Sequence, residues 1–170
     1  MVHHGSKWDQ RFLALAEYVS RWSKDPSTKT GAVIVDDRRR IVSMGYNGFP
    51  PGIEDTPERL NNREVKYELV VHCEINALAN AGRPVDGLTL YTWPFLTCTR
   101  CTMTMIAAGI GQVVAPECPE DKKERWGASL DQAKALWTEA ERWVVLYGPT
   151  EARHYFKAYV GPHYVVDLPE

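Results

Sequence analysis

Four side chains in two short stretches could do chemistry together. His72 and Glu74 sit in His72-Cys73-Glu74, and Cys98 and Cys101 bracket Cys98-Thr99-Arg100-Cys101. One imidazole and two thiolates are three ligands for a tetrahedral Zn²⁺. A structural zinc site closes its shell with four protein ligands, whereas a catalytic one keeps a position open for water. Glu74 follows the histidine by two residues, which at a helix start is ~200° around the axis at ~100° per residue. It therefore reaches the reaction from beside the metal and can handle protons without joining the ligand shell. Other uses compete for these residues. His72 could be a satisfied core histidine, and Cys98 and Cys101 a redox pair or half of a zinc ribbon. Cys73 and Cys118 would even complete an all-cysteine structural site. None of these gives both His72 and Glu74 work to do.

The elements that must position these groups follow from periodicity. From Trp8 to about Trp22, the residues Trp8, Phe12, Leu15, Ala16, Val19 and Trp22 recur at three- and four-residue steps, which predicts an amphipathic helix packed on a core. Pro26 breaks the pattern at Ser23–Thr28, because it disfavours helix for Asp25. Gly31–Val35 reads as a strand buried on both faces. Asp36–Arg40 is its turn, and Ile41–Tyr46 is its hairpin partner. The arginine run 38–40 reads as a solvated turn. Tyr46–Gly52 forms a rigid loop in which Asn47 suits a sugar hydroxyl or a base edge, and equally a plain turn. Glu54–Glu68 is polar, a loop or short helix at the surface.

A helix is expected from His72 to about Ala81, stopped by Gly82, and a strand over Leu88–Thr92. A second helix runs from Thr99 to about Ala108, ended by Gly109. Both ligand pairs then stand at helix N-termini, where the macrodipole favours thiolate. Gln112–Ala115 is a fourth strand, Glu117–Arg125 a charged loop, Ser129–Glu141 a helix and Trp143–Tyr147 a fifth strand. This α-β-β-α-β-α-β-α-β order predicts one sheet with helices on both sides, an α/β fold of three layers, α/β/α. We read residues 1–170 as a single zinc-dependent domain, with a core at about 8–147 and an aromatic-rich C-terminal tail at 148–170 that packs on the domain or on another subunit.

Bulk properties narrow the function. A chain of 170 residues with 44% hydrophobic and 25% charged residues is ordinary for a globular protein able to bury a core. A net charge of -2 argues against a large basic surface for duplex nucleic acid. No apolar stretch approaches the length of a membrane span and no signal-peptide pattern opens the chain, so the cytoplasm is the expected location. Four cysteines, two of them three apart, suit metal binding in a reducing compartment better than a disulfide framework. The opening Met-Val-His-His-Gly-Ser could be an expression scar and is given no function.

An H-x-E followed by C-x-x-C is the signature of zinc-dependent base deaminases. The chain resembles the cytidine and deoxycytidylate deaminase family over about Trp8 to Leu146, and within it the deoxycytidylate (dCMP) branch. The resemblance is carried by Trp8-Asp9, Ser23-Lys24-Asp25-Pro26-Ser27, Gly31-Ala32, Gly45-Tyr46-Asn47-Gly48 with Pro50, His72-x-Glu74-x-Asn76-Ala77, Leu90-Tyr91 and Cys98-x-x-Cys101 with Ala108-Gly109-Ile110. It implies a mixed five-stranded sheet, the cytidine deaminase-like fold, and one Zn²⁺ per chain on His72, Cys98 and Cys101. It also implies a homo-oligomer, commonly a hexamer, with dCTP and dTTP as effectors and Mg²⁺ accompanying the effector nucleotide. Departures from the family pattern are Cys73 where alanine is usual, and Thr97 where a proline precedes the first cysteine, with Pro94 three residues earlier in a loop one residue longer. Arg125-Trp126 also stands in place of a lysine and a tyrosine.

The activity this implies is dCMP + H₂O → dUMP + NH₃. Zinc lowers the pKa of water from ~15.7 toward ~7, and Glu74 moves the protons. Asn47 would hold the sugar by resemblance, and Arg125 and Lys24 are the candidates for the 5′-phosphate. The nearest alternatives are a deaminase of the same fold acting on a free cytosine nucleoside, a modified cytosine nucleotide or dCTP. More distant are a binding module whose zinc is only structural and an editor of single-stranded nucleic acid. The acidic balance argues against the last.

Overall fold

The computed structural model describes residues 6–148, 157–160 and 164–167. Among them lie helices α1 (Ser6–Ser20), α2 (Pro57–Asn61), α3 (Arg63–Leu69), α4 (Cys73–Ala79), α5 (Thr99–Ala107) and α6 (Glu120–Glu139). The strands are β1 (Gly31–Val35), β2 (Ile41–Tyr46), β3 (Thr89–Trp93), β4 (Gln112–Pro116), β5 (Trp143–Tyr147), β6 (Lys157–Val160) and β7 (Tyr164–Asp167). The sheet runs β2-β1-β3-β4-β5-β6-β7. β1 is antiparallel to β2 and β3, while β3, β4 and β5 are mutually parallel. The expected mixed five-stranded sheet is thus its body. β6 and β7 extend it past β5 as an antiparallel hairpin, so this part of the tail packs on its own domain.

Strand residues alternate between two cores, as the pleat requires. Ala32, Ile34, Leu90, Val113 and Leu146 face α4, α5 and α6 in one cluster with Cys73, Ala77, Met105 and Trp137. Val33, Val35, Tyr91, Val114 and Val145 face α1 in the other, with Phe12, Leu13 and Ala16. The layers are therefore α1 on one side and α4–α6 on the other. Asp9 pins α1 in place, since its carboxylate accepts from the Tyr91 and Tyr147 hydroxyls at 2.7 Å each.

Two element expectations need correction, at α1 and at 117–125, and the loop or short helix expected at Glu54–Glu68 is made specific. α1 ends at Ser20, with Leu13 at its centre rather than Leu15, and Trp22 is 49% exposed in the turn beyond. Glu54–Glu68 contains two short helices, capped by the Thr56 hydroxyl and the Asn62 side chain. The stretch read as a charged loop at 117–125 is mostly helix, because α6 starts at Glu120. Pro119 precedes it and Glu120 and Asp121 fill its first turn, where acidic side chains favour a helix N-terminus. Its first half offers little apolar face beyond Trp126, so periodicity could not reveal it.

Candidate metal and substrate site

Two helix starts converge on one point. His72 is the N-cap residue of α4 and Cys98 that of α5, with Cys101 in the first turn of α5. α4 can reach this position because β2 carries Gly45 beneath it. A Cβ there would collide with the backbone of Cys73 and Ala77. The Ser43 hydroxyl adds a 2.7 Å bond to the Ala77 carbonyl. α5 is fixed from the other side. Thr97, in the position read as the family's proline, is fully buried. Its hydroxyl accepts from the Trp137 indole at 3.1 Å and lies 2.6 Å from the Thr102 hydroxyl. Thr99 adds bonds to Ser129 on α6.

Thr97→Val leaves the Trp137 N–H buried and unpaired, which costs about 1–3 kcal/mol. Chemical denaturation should show that loss with zinc content retained, and Thr97→Ser should recover most of it. A Thr97→Val protein as stable as the parent would remove the network from the account.

Nδ1 of His72 lies 3.5 Å from the Cys98 sulfur and 3.3 Å from the Cys101 sulfur. Ligands arranged tetrahedrally at ordinary Zn–N and Zn–S lengths stand ~3.5 Å apart from N to S, so the donor set fits zinc in type and in spacing. Among the described residues, the three donor atoms lie within 4.8 Å of one another, and neither Cys73 nor Cys118 joins them. The Cys73 thiol instead donates to Glu74 Oε2 at 3.2 Å, and that of Cys118 points to the Pro119 carbonyl. The hydrogen bond with Cys101 lowers the Cys98 pKa to about 4, with His72 adding to the effect, while Cys101 is pushed up as it retains the shared proton. Glu74 is 6% exposed, and burial raises its pKa above the ordinary carboxylate range against the pull of His72. It is a buried acid group beside the metal donors, placed to take up and release protons.

One cavity joins His72, Glu74 and Cys98 to Asn47, Arg125 and Trp126. Its walls include Trp93, Phe95 and Leu96, with the Phe95 and Trp126 rings 5.7 Å apart. The Trp93–Pro94 peptide bond in this wall is cis. Asn47 is buried, and its amide works on the neighbouring loop. Its Oδ1 accepts from Thr30 N at 2.8 Å, and its Nδ2 donates to the Thr28 carbonyl at 2.9 Å and to Asp25 at 3.4 Å. Arg125 lies on α6 rather than in a loop. Its guanidinium donates to the Tyr67 hydroxyl and stacks 4.9 Å from the Trp126 ring centroid. Lys24 is not brought to the cavity. Its ammonium pairs with Asp55 at 2.8 Å on the exposed side of the Ser23–Thr28 loop.

Lys66 takes the inside position instead, at 4% exposure, and sequence reasoning missed it. The stretch around it reads as polar surface, and the one hint is an Asp25 that needs a counter-charge.

Comparison with known proteins places these residues in a family. The model of the cytidine and deoxycytidylate deaminase zinc-binding region matches residues 6–117. The chain is 41% identical over 135 residues to an "uncharacterized deaminase in luxG 3′ region" of Aliivibrio fischeri, covering 79% of this chain and 90% of that one. It is 36% identical over 146 residues to a probable deoxycytidylate deaminase of Drosophila melanogaster, with 79% and 71% covered. It is 38% identical over 114 residues to human deoxycytidylate deaminase, a match spanning 64% of each. Among solved structures, the dCMP deaminase of cyanophage S-TIM5 in complex with dCMP and dUMP superposes with a TM-score of 0.64 at 21% identity. That match covers 86% of this chain and 100% of that one and establishes the likeness of fold.

Proposed function

The chain belongs to the cytidine and deoxycytidylate deaminase zinc-binding family, and from that premise we propose that it converts dCMP and water to dUMP and ammonia. The observation that carries the reading is the buried Glu74 carboxyl sharing a cavity with His72 and Cys98, two members of the His72–Cys98–Cys101 donor set. Zinc bound by those three residues supplies a Lewis acid that lowers the pKa of a water to ~7, making a nucleophile available at neutral pH.

The chain's own groups do the rest. Glu74 accepts a proton from the attacking water and delivers it to N3 of the cytosine as the bond to C4 forms. It then carries the remaining hydroxyl proton to the amino nitrogen, which leaves as ammonia while the C4 carbonyl forms. Burial helps here, since a carboxylate with a raised pKa is the stronger base and takes the proton from the water more readily than an exposed one. Trp93, Phe95 and Trp126 offer flat apolar walls for a pyrimidine ring. Asn47 stands at the sugar end in this reading. Its Oδ1 keeps acceptor capacity for a hydroxyl after its bond to Thr30.

The domain responsible is 8–147. Thiolate ligands in a chain whose described cysteines are all free suit a reducing cytoplasm, and no helix among the described residues is long and apolar enough to cross a membrane. A product assay over deoxycytidine, dCMP, dCTP and a 5-substituted dCMP tests the reading. dUMP formed fastest from dCMP supports it, and no deamination of any of the four sinks it.

Family resemblance carries two finer readings, assembly as a hexamer and control by dCTP and dTTP with Mg²⁺ beside the effector. If control operates, dCMP saturation should be sigmoidal and become hyperbolic on adding Mg²⁺ and dCTP. A curve moved by neither nucleotide marks an unregulated enzyme.

A further inference from the structure

The Lys66 ammonium donates to Asp25 Oδ1 at 3.0 Å and to Ser27 Oγ at 3.0 Å. An ammonium has three N–H groups and no acceptor, so these two bonds leave a donor over. Asp25 is not given over to Lys66 alone. The same Oδ1 also accepts the Ser27 and Thr28 backbone N–H groups at 2.7 and 3.1 Å, and Oδ2 takes the Asn47 amide. One carboxylate thus aligns the ammonium of Lys66 and the amide of Asn47, both of which line the cavity that holds Glu74.

A second cavity of about 250 Å³ adjoins this one and shares Ser27, Lys66, Tyr67 and Arg125 with it. It adds Arg63, so its lining holds three cationic side chains and no carboxylate. The Tyr67 hydroxyl accepts from both Arg63 Nε, at 3.2 Å, and the Arg125 guanidinium, which holds the two forks on either side of it. The Trp126 indole N–H is buried without a partner in the described residues and lines the first cavity. Donors and positive charge gathered around an opening of this kind suit an anion with several oxygens.

Resting on the reading of the site as a cytosine deaminase, we propose that Lys66, held in place by Asp25, grips the substrate's 5′-phosphate, with Arg125 and Arg63 closing on it from the second cavity. Lys66 is then the residue that makes the enzyme select nucleoside 5′-monophosphates over free nucleosides, and Asp25 is its positioning residue. Lys24, the cation nearest Asp25 in sequence, is turned away toward Asp55 and has no part in this.

The test compares kcat/KM for dCMP and for deoxycytidine in the zinc-loaded full chain and its variants. Lys66→Met leaves Asp25 buried without its cation and is prone to misfold. The double variant Lys66→Met with Asp25→Asn removes both charges at similar volume, and zinc content and thermal melting check that it is folded. The dCMP-to-deoxycytidine ratio should fall about 10- to 150-fold in the double variant, the range expected for hydrogen bonds to a charged group. The loss should lie mainly in KM, and Lys66→Arg should recover most of the ratio.

Calorimetry with inorganic phosphate gives a readout independent of catalysis, in which the parent binds phosphate and the folded double variant does not. Equal losses on both substrates, or phosphate binding that survives the double substitution, would overturn the proposal. A parent that binds phosphate through Lys66 yet deaminates neither compound would uphold the anion site and sink the deaminase reading instead.

Discussion

Glu74→Gln is expected to retain zinc and to bind substrate while losing several orders of magnitude in turnover. Gln has nearly the same shape, so the packing of a residue only 6% exposed is kept, as is an acceptor for the Cys73 thiol. What disappears is the capacity to take up and release a proton. One general acid–base role is worth ~10²–10⁴-fold, which is ~3–5 kcal/mol of barrier. Here one carboxyl serves both the addition of water and the departure of ammonia, so the upper part of that range is expected. Metal analysis and single-turnover kinetics on dCMP separate the two effects. Turnover near the parent rate with full zinc would take Glu74 out of the mechanism.

Cys98→Ala and Cys101→Ala should each empty the metal site and lower the melting temperature sharply. With two donors left, a tetrahedral ion loses a quarter of its shell, and an apparent zinc-binding free energy of ~10–16 kcal/mol, as in small structural sites, shows how much can be at stake. Cys101 also sits at 3% exposure in the first turn of α5, so its change disturbs the packing as well. Cys73→Ala and Cys118→Ala are the controls. Neither sulfur belongs to the donor cluster, and both variants should hold zinc at the parent stoichiometry. If Cys118→Ala lost the metal, the site would be a closed structural one with four protein ligands and no room for a water.

The residues that bring this site together were legible because each is tied to its partner by short-range geometry. Two ligands three residues apart at a helix start, and a glutamate two residues past a histidine, fix their relative placement before any tertiary contact forms. The parallel strands β4 and β5 were equally plain, since burial on both faces writes them as short continuous apolar runs, Val113–Ala115 and Trp143–Tyr147. Lys66 was not legible. Its burial depends on Asp25, 41 residues away, and a single lysine beside Tyr67 on a polar helix looks like a solvated one until that pairing is known. Lys24 was attractive for the opposite reason, because adjacency to Asp25 in sequence suggests a shared direction that the chain does not give it. The pattern around Arg125 reads as a loop, since α6 begins with charged residues and little apolar face, and an exposed pair such as Lys123 with Glu120 adds only modest support. The pairing of β6 with β5 joins segments whose order in space no local pattern encodes.

The glycine under α4 has a consequence for anyone who would move this chemistry elsewhere. Helix α4 lies on β2 with no side chain between them at Gly45, so the height of His72 above the sheet is set by a missing carbon in a strand that supplies no ligand. The metal centre is therefore not portable as its two signatures alone. A transplant of H-x-E and C-x-x-C onto another α/β scaffold would need the bare strand as a spacer gauge. A host with alanine at that point would hold the histidine out of register with the two sulfurs, however faithfully the ligands themselves were copied.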